Sequence, residues 1–105
     1  MRLALLALAV LVVCSAPVLA SSRSQRTHGA EIFAESGCSH CHTIRNNGGK
    51  KGPDLSGVGR RLKVAQMRQQ IVNGSMRMPP FGDDLQSADL ADLLAYLHSC
   101  RDKKK

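Results

Sequence analysis

The residues most able to do chemistry lie in the run Cys38–His42, whose sequence is CSHCH. A Cys-x-x-Cys-His run is a site of covalent c-type haem attachment. The thiols of Cys38 and Cys41 are three positions apart, so each can add to one vinyl group of the same porphyrin. His42 is then held close to the iron, where an imidazole nitrogen can bind as an axial ligand. The run therefore predicts one haem c bound through two thioethers.

Two other sites also use a Cys-x-x-Cys pair, namely zinc sites and thioredoxin-like redox sites. A zinc site usually takes four ligands, often from a second pair of the same spacing, and only Cys100 lies downstream. A thioredoxin-like site belongs to a βαβ pattern, and the sequence shows no convincing strand. Haem is favoured, with zinc and a dithiol as alternatives.

A second candidate iron ligand lies in the segment 75–81, which contains two methionines. Haem iron with one histidine commonly takes a methionine sulfur as its other axial ligand. Pro79 biases Met78 toward an extended backbone, and Pro80 stiffens the loop further. Met76 lacks that restraint, so Met78 is the predicted ligand. If both methionines only pack against the fold, the sixth iron position is open, as in a haem enzyme or a gas sensor.

Pro53 is the predicted hydrogen-bond partner of His42. A proline has no N–H, but its carbonyl oxygen is free to accept a hydrogen bond. A metal-bound histidine usually donates its other ring N–H to such a group. The alternative is an ordinary loop proline, since Pro53 follows a glycine- and asparagine-rich loop.

The N-terminus has the pattern of a cleaved signal peptide. Arg2 precedes an apolar run over 3–13, and small residues lead to a predicted cleavage after Ala20. The run is shorter than the roughly 20 apolar residues that cross a bilayer. Residues 1–20 are therefore predicted to direct export, with the periplasm as the expected compartment. Lipid attachment at Cys14 is disfavoured because the branched Val13 precedes it.

The remaining chain is short enough for a single domain. Residues 21–26 are polar and basic and are interpreted as a flexible leader, 27–100 as the domain, and 101–105 as a basic tail. Thr27 is the expected N-cap of a helix over about 28–36.

Two further helices are predicted from apolar residues at helical spacing. One spans about 60–73, with Met67 in the core and Gly74 as its C-terminal cap. The other spans about 88–99 with Ser87 as N-cap, and its apolar stripe recurs at i, i+3, i+4 and i+7. The stripe consists of Leu90, Leu93, Leu94 and Leu97.

The chain is basic, with a formal net charge of +7 that becomes +6 without Arg2. A positive surface favours acidic protein partners or a negatively charged membrane face. Nucleic acid is disfavoured because the basic residues are scattered, and one tyrosine and two phenylalanines are too few for base stacking. Cys100 could be a buried small hydrophobe, a free thiol or a link between two chains.

Taken together, these residues resemble a class I c-type cytochrome over nearly the whole predicted mature chain, from Gly29 to Leu97. The matching pieces, in order, are Gly29 and Phe33, the run Cys38–His42, the segment Gly52-Pro53-Asp54-Leu55, Asn73-Gly74 ahead of Met78-Pro79, and finally Leu93 with Tyr96.

The resemblance implies an all-α, cytochrome c-like fold of three to four short helices and loops wrapped around one haem. It implies thioethers at Cys38 and Cys41, iron between His42 and Met78, and a Pro53 carbonyl that orients His42. It also implies first and last helices that cross near Gly29 and Tyr96. There is no tryptophan to hold a haem propionate, so Arg60 or Arg61 is expected to do so.

The expected function is that of an exported carrier that passes single electrons between redox partner proteins, without a substrate of its own. The alternatives are a haem enzyme or gas sensor, and a dedicated cytochrome subunit of a dehydrogenase or oxidase.

Overall fold

The fold is mostly helical, as the sequence predicts. A computed structural model describes residues 10–13 and 18–103, with the backbone alone for 18–21. Cys14 and most of the predicted signal peptide lie outside these residues. The described part contains the helices α1 (Val18–Glu35), α2 (Val58–Arg61), α3 (Val64–Asn73) and α4 (Ser87–Ser99), a 3-10 turn (Cys38–His40), and the strands β1 (Thr43–Ile44) and β2 (Asn47–Gly48).

The first helix is longer than predicted. It begins at Val18, so the segment 21–26 is helical where a flexible leader was expected. Thr27 is not an N-cap: its hydroxyl donates to the carbonyl of Arg23, 3.0 Å away, one turn earlier in the same helix. Nothing between 18 and 28 breaks a helix, since the segment contains neither glycine nor proline. No helix in the described residues is both long and apolar enough to cross a membrane.

The predicted helix over 60–73 is two helices. The backbone is extended at Leu62 and Lys63, between α2 and α3. The break is stabilised because the Lys63 N–H donates to Oε1 of Gln66, 2.8 Å away, which is half of a capping box for α3. Gly74 ends α3 as predicted, with a φ of 66° and its N–H on the Gln70 carbonyl.

The last helix begins one residue earlier than predicted. Gln86, not Ser87, is the N-cap residue, and its side chain makes no capping hydrogen bond. The leucine stripe is confirmed, since each of its four members is between 1 % and 5 % exposed. The stripe is the centre of the core, which it shares with Ile32, Phe33, Ile44, Val58, Met67, Ile71 and Cys100.

Helices α1 and α4 cross in backbone contact at Gly29. A Cβ atom there would lie 2.0 Å from the Asp92 carbonyl oxygen and 2.7 Å from the Tyr96 Cβ. One turn further along α1, the ring of Phe33 meets that of Tyr96 edge-on at 6.0 Å between centroids. The crossing near Gly29 and Tyr96 is therefore confirmed.

A short β-hairpin was not anticipated. Its register pairs Thr43 with Gly48 and Ile44 with Asn47. Arg45 and Asn46 form the turn with φ angles of 49° and 68°, the left-handed pair typical of a type I′ turn. The sequence does not predict these strands, because two residues are too few to show the alternation of apolar and polar residues that indicates a strand.

Replacement of Gly29 by alanine should separate the two helices. Alanine is the better helix former by about 1 kcal/mol, but its methyl group would overlap the backbone of α4. We expect the Gly29→Ala variant to lose about 1–3 kcal/mol of unfolding free energy in urea titrations. The matched control is Ala34→Leu, which adds volume at an exposed position of the same helix and should be nearly neutral. Equal stability of wild type and Gly29→Ala would contradict the crossing.

The same crossing carries an ion pair with a defined pH dependence. Nδ1 of His28 lies 2.7 Å from a carboxylate oxygen of Asp92. The hydrogen bond to Asp92, and then the charges of Asp92, Asp89 and Glu31, raise the pKa of His28 above its ordinary 6.5. The stabilisation is therefore complete below pH 6.5 and lost as the pH rises through the raised pKa.

We expect the unfolding free energy of wild type minus that of His28→Gln to fall between about pH 5 and about pH 9. A difference that stays constant, or rises with pH, would show that the pair does not form.

Candidate functional site

A tight turn places the two cysteines and the histidine of the motif. Gly37 follows the end of α1 and immediately precedes the 3-10 turn, with a φ of 80°. The N–H groups of Cys41 and His42 both donate to the carbonyl of Cys38, at 3.3 Å and 3.0 Å. Cys38 and Cys41 are half-buried free thiols separated by this single turn.

Burial raises the pKa of the Cys38 thiol, and the neighbouring Cys41 adds a smaller effect in the same direction. Cys38 therefore holds its proton at neutral pH, which slows disulfide formation because the thiolate is the reactive form.

The β-hairpin packs directly onto the backbone of the motif. The Gly49 N–H donates to the carbonyl of Ser39, 2.8 Å away. A Cβ on Gly48 would lie 2.1 Å from the His42 carbonyl oxygen, and one on Gly49 would lie 2.0 Å from that of His40. Only glycine permits this approach, so the two glycines hold the motif in its turn.

His42 and Pro53 are in contact. Nδ1 of the His42 ring lies 2.8 Å from the Pro53 carbonyl oxygen. Because a carbonyl only accepts, Nδ1 carries the hydrogen, and the lone pair of Nε2 is available to a metal. Gly52 lies close against the same ring, since a Cβ there would be 2.6 Å from Cε1. Gly52 is therefore a positioning residue. The sequence predicts it only as part of the matching segment Gly52-Pro53-Asp54-Leu55 and indicates no role for it.

The structure separates the two methionines of the 75–81 loop. Met78 is half-buried and packs against the core, whereas Met76 is fully exposed. The loop folds back on the end of α3: the Ser75 N–H donates to the Met78 carbonyl at 2.8 Å, and Gly74 leaves no space for a Cβ beside that oxygen. Met78 is therefore held by its backbone.

A glutamine contacts the Met78 sulfur. Nε2 of Gln70 lies 3.6 Å from Sδ of Met78, at the distance of a weak hydrogen bond to sulfur. Sequence reasoning missed this residue, because a glutamine two turns before a loop methionine carries no distinctive signal.

A band of half-buried apolar side chains borders the core and includes residues of the motif and of the methionine loop. It consists of Cys38, Leu55, Val72, Met78, Phe81, Leu85 and Tyr96. A flat apolar macrocycle would remove such surface from water. With two thiols, a free imidazole nitrogen and a held thioether sulfur, the residues present fit a haem.

The two arginines expected to hold a propionate contact backbone carbonyls. Arg60 donates to the Arg101 carbonyl at 3.4 Å, and Arg61 donates to the Asp54 carbonyl at 2.9 Å. Their role toward a propionate stays a prediction.

Cys100 is a free thiol that is 2 % exposed, and its Sγ lies 3.4 Å from the Tyr96 carbonyl oxygen. Burial raises the pKa of this thiol as well.

Within residues 10–13 and 18–103, no three side chains of His, Cys, Asp or Glu gather in a group that could hold a metal ion.

Comparison with protein families decides between haem and the other uses of the cysteine pair. The family described as cytochrome c oxidase, cbb3-type, subunit III matches residues 24–97. The chain belongs to this family of c-type cytochromes. It is therefore a haem c protein of electron transfer.

Two curated relatives are also named as c-type cytochromes. Cytochrome c-555 of Methylococcus capsulatus is 29 % identical over 98 residues, which cover 91 % of this chain and 80 % of that protein. Cytochrome c6 of Picosynechococcus is 28 % identical over 108 aligned residues, which cover 92 % of this chain and 89 % of that protein. No solved structure matches.

The close approach of Gly52 to His42 gives a test of the site. In a Gly52→Ala variant the new methyl group should push the Pro53 carbonyl away from the ring. We expect a smaller fraction of the chain to carry haem, measured by intact mass, and a changed ferric spectrum in the part that does. The control is Lys51→Ala, at the exposed preceding position, which should match wild type. Full haem content and an unaltered spectrum in Gly52→Ala would contradict the positioning role.

Proposed function

We propose that this cytochrome is an exported electron carrier with one haem, bound by thioethers at Cys38 and Cys41 and ligated by His42 and Met78. The observation that carries the proposal is the hydrogen bond from His42 to Pro53, beside two thiols with attachment spacing. This hydrogen bond supports the proposal because it leaves the Nε2 atom of His42 available to ligate the iron.

The thiols of Cys38 and Cys41 would hold the haem through two thioether bonds. In each, the sulfur would be joined to one carbon of a vinyl double bond and the thiol hydrogen to the other. No electron is gained or lost, so the step needs no oxidant. Export after Ala20 would bring the chain to the periplasm, where c-type haem is attached.

The two ligands are held before any electron arrives. Pro53 and Gly52 hold the His42 ring, while Ser75 and Gln70 hold Met78. When bound, the haem supplies a one-electron change between ferric and ferrous iron, and sulfur ligation raises its potential. Because the chain fixes both ligands, they need not move when the iron changes charge.

The partners are redox proteins with acidic docking surfaces. The chain carries a net charge of +7, and +6 without the predicted signal peptide. A positive field speeds encounter with an acidic protein, and the rate falls as salt screens the charges. We therefore expect electron transfer with the physiological partner to slow as ionic strength rises.

A cytochrome subunit of an oxidase is a second candidate, favoured by the description of the matching family. The chemistry of His42 and Met78 is the same in both cases. Purification from native membranes in mild detergent separates them, since a subunit stays with its complex and a carrier is released.

The proposal is tested on the exported protein purified after co-expression with a haem-attachment system. We expect colour that stays with the chain after denaturation, the mass of one haem, and a reversible one-electron titration. The Met78→Ala variant should lose the methionine-to-iron absorption band and bind cyanide readily, because it lacks the sulfur ligand.

Met76→Ala is the matched control, two positions away in the same loop, and should keep the wild-type spectrum. A colourless, compactly folded protein would refute haem attachment. Identical spectra of the two methionine variants would refute the ligand assignment.

A further inference from the structure

The C-terminal end of the chain lies along α2 and is fixed there by several hydrogen bonds. The Gly59 N–H donates to the Cys100 carbonyl at 2.8 Å, and the Asp102 N–H donates to the Ser56 carbonyl at 3.0 Å. The Arg101 guanidinium donates to the Gly59 carbonyl at 2.6 Å. Residues about 40 positions apart are thereby brought to one side of the molecule.

This arrangement brings the exposed side chains of Arg45, Arg60, Arg61 and Arg101 to the tail and α2. Together with Lys63 and Lys103, which lie two positions after Arg61 and Arg101 along the chain, they form what we call the C-terminal basic patch. Contacts link two of them to the tail: Arg45 pairs with Asp102 at 3.2 Å, and Arg60 donates to the Arg101 carbonyl. Asp102 and Asp54 are the acidic residues at the patch, the first paired with Arg45 and the second accepting the Ser56 N–H.

The positive charge is not spread evenly along the chain. The segment 78–99, which contains α4, has four aspartates and no lysine or arginine. A partner with negative charge would therefore be oriented as well as attracted.

The patch also has an exposed apolar part. Leu62 is 38 % exposed and Val64 is 41 % exposed, at the break between α2 and α3. Arg61 precedes this pair and Lys63 separates the two residues. An apolar centre with a charged rim rich in arginine is typical of a surface that binds another protein.

The arginines favour a protein over a fluid lipid surface. Arg45, Arg60, Arg61 and Arg101 each use part of their guanidinium to hold a carboxylate or a backbone carbonyl. The remaining N–H groups are thus already oriented, and little side-chain freedom is lost when they meet fixed carboxylates.

We propose that the C-terminal basic patch is the surface on which an acidic protein partner docks. The proposal rests on the proposed function, since a carrier must bind its donor and acceptor, and it names the surface that does so. The rival surface is the methionine loop with the neighbouring end of α3, where Met76, Arg77 and Arg68 are exposed.

The test uses the ¹⁵N-labelled haem protein titrated with poly-L-glutamate at low salt, with amide shifts read by NMR. The shifts should centre on residues 56–64 and 100–103. The double variant Lys63→Glu, Lys103→Glu should bind at least about fivefold more weakly than wild type. The matched control Arg68→Glu, Arg77→Glu makes the same change of charge on the rival surface and should weaken binding less than about twofold. Circular dichroism and thermal melting check that both variants are folded.

Shifts spread evenly over the protein, shifts centred on 68–78, or equal weakening by the two double variants would overturn the proposal. So would binding to phosphatidylglycerol vesicles that needs the patch, if poly-L-glutamate is not bound. The redox titration of the same sample is read separately. A protein that binds through the patch but shows no reversible one-electron change would refute the proposed function alone.

Discussion

One hydrogen bond, from the His42 ring to the Pro53 carbonyl, is the contact on which the site depends. It selects the tautomer of the imidazole, because a carbonyl can only accept, and so it decides which ring nitrogen a metal can use. Glycines in the surrounding backbone allow the close contacts around this bond. Gly52 allows the proline segment to lie close to the ring, and Gly48 and Gly49 allow the hairpin to contact the backbone of the motif.

The helical frame explains why the site can be built from short loops. Helices α1 and α4 meet in backbone contact at Gly29, and the leucine stripe of α4 fills the space beside them. This gives the loops a rigid support, but it leaves a band of apolar side chains half-exposed along the core. A small domain with one tyrosine, two phenylalanines and no tryptophan has few large side chains to cover such a band. A haem would cover part of this surface with an apolar body.

The charged residues are distributed differently from the core residues. The C-terminal tail turns back over α2 and brings Arg101 beside Arg60, while α4 carries aspartates. The cysteines of the motif and the cations of the C-terminal basic patch are thus different side chains in different parts of the chain. Substitutions at Lys63 or Lys103 change the charge of the patch without replacing a proposed iron ligand.

The sequence by itself determined which residues are candidates for the chemistry. Cys38, Cys41 and His42 lie within five consecutive positions, so their spacing alone indicates haem c, and the helical period of the leucines predicts α4 without any tertiary contact. Pro53 was predicted as the partner of His42 from the missing N–H of proline, and Met78 was preferred to Met76 from the backbone restraint of Pro79. Only the tertiary structure decided what depends on contacts between distant residues. The contact of Gln70 with Met78, the fit of Gly52 against His42 and the gathering of cations by the tail leave no periodic or local signal. The boundaries at Val18, Leu62 and Gln86 were missed for a related reason: helix ends are set by whichever hydrogen-bond partner the folded chain supplies, and several residues nearby could have supplied it.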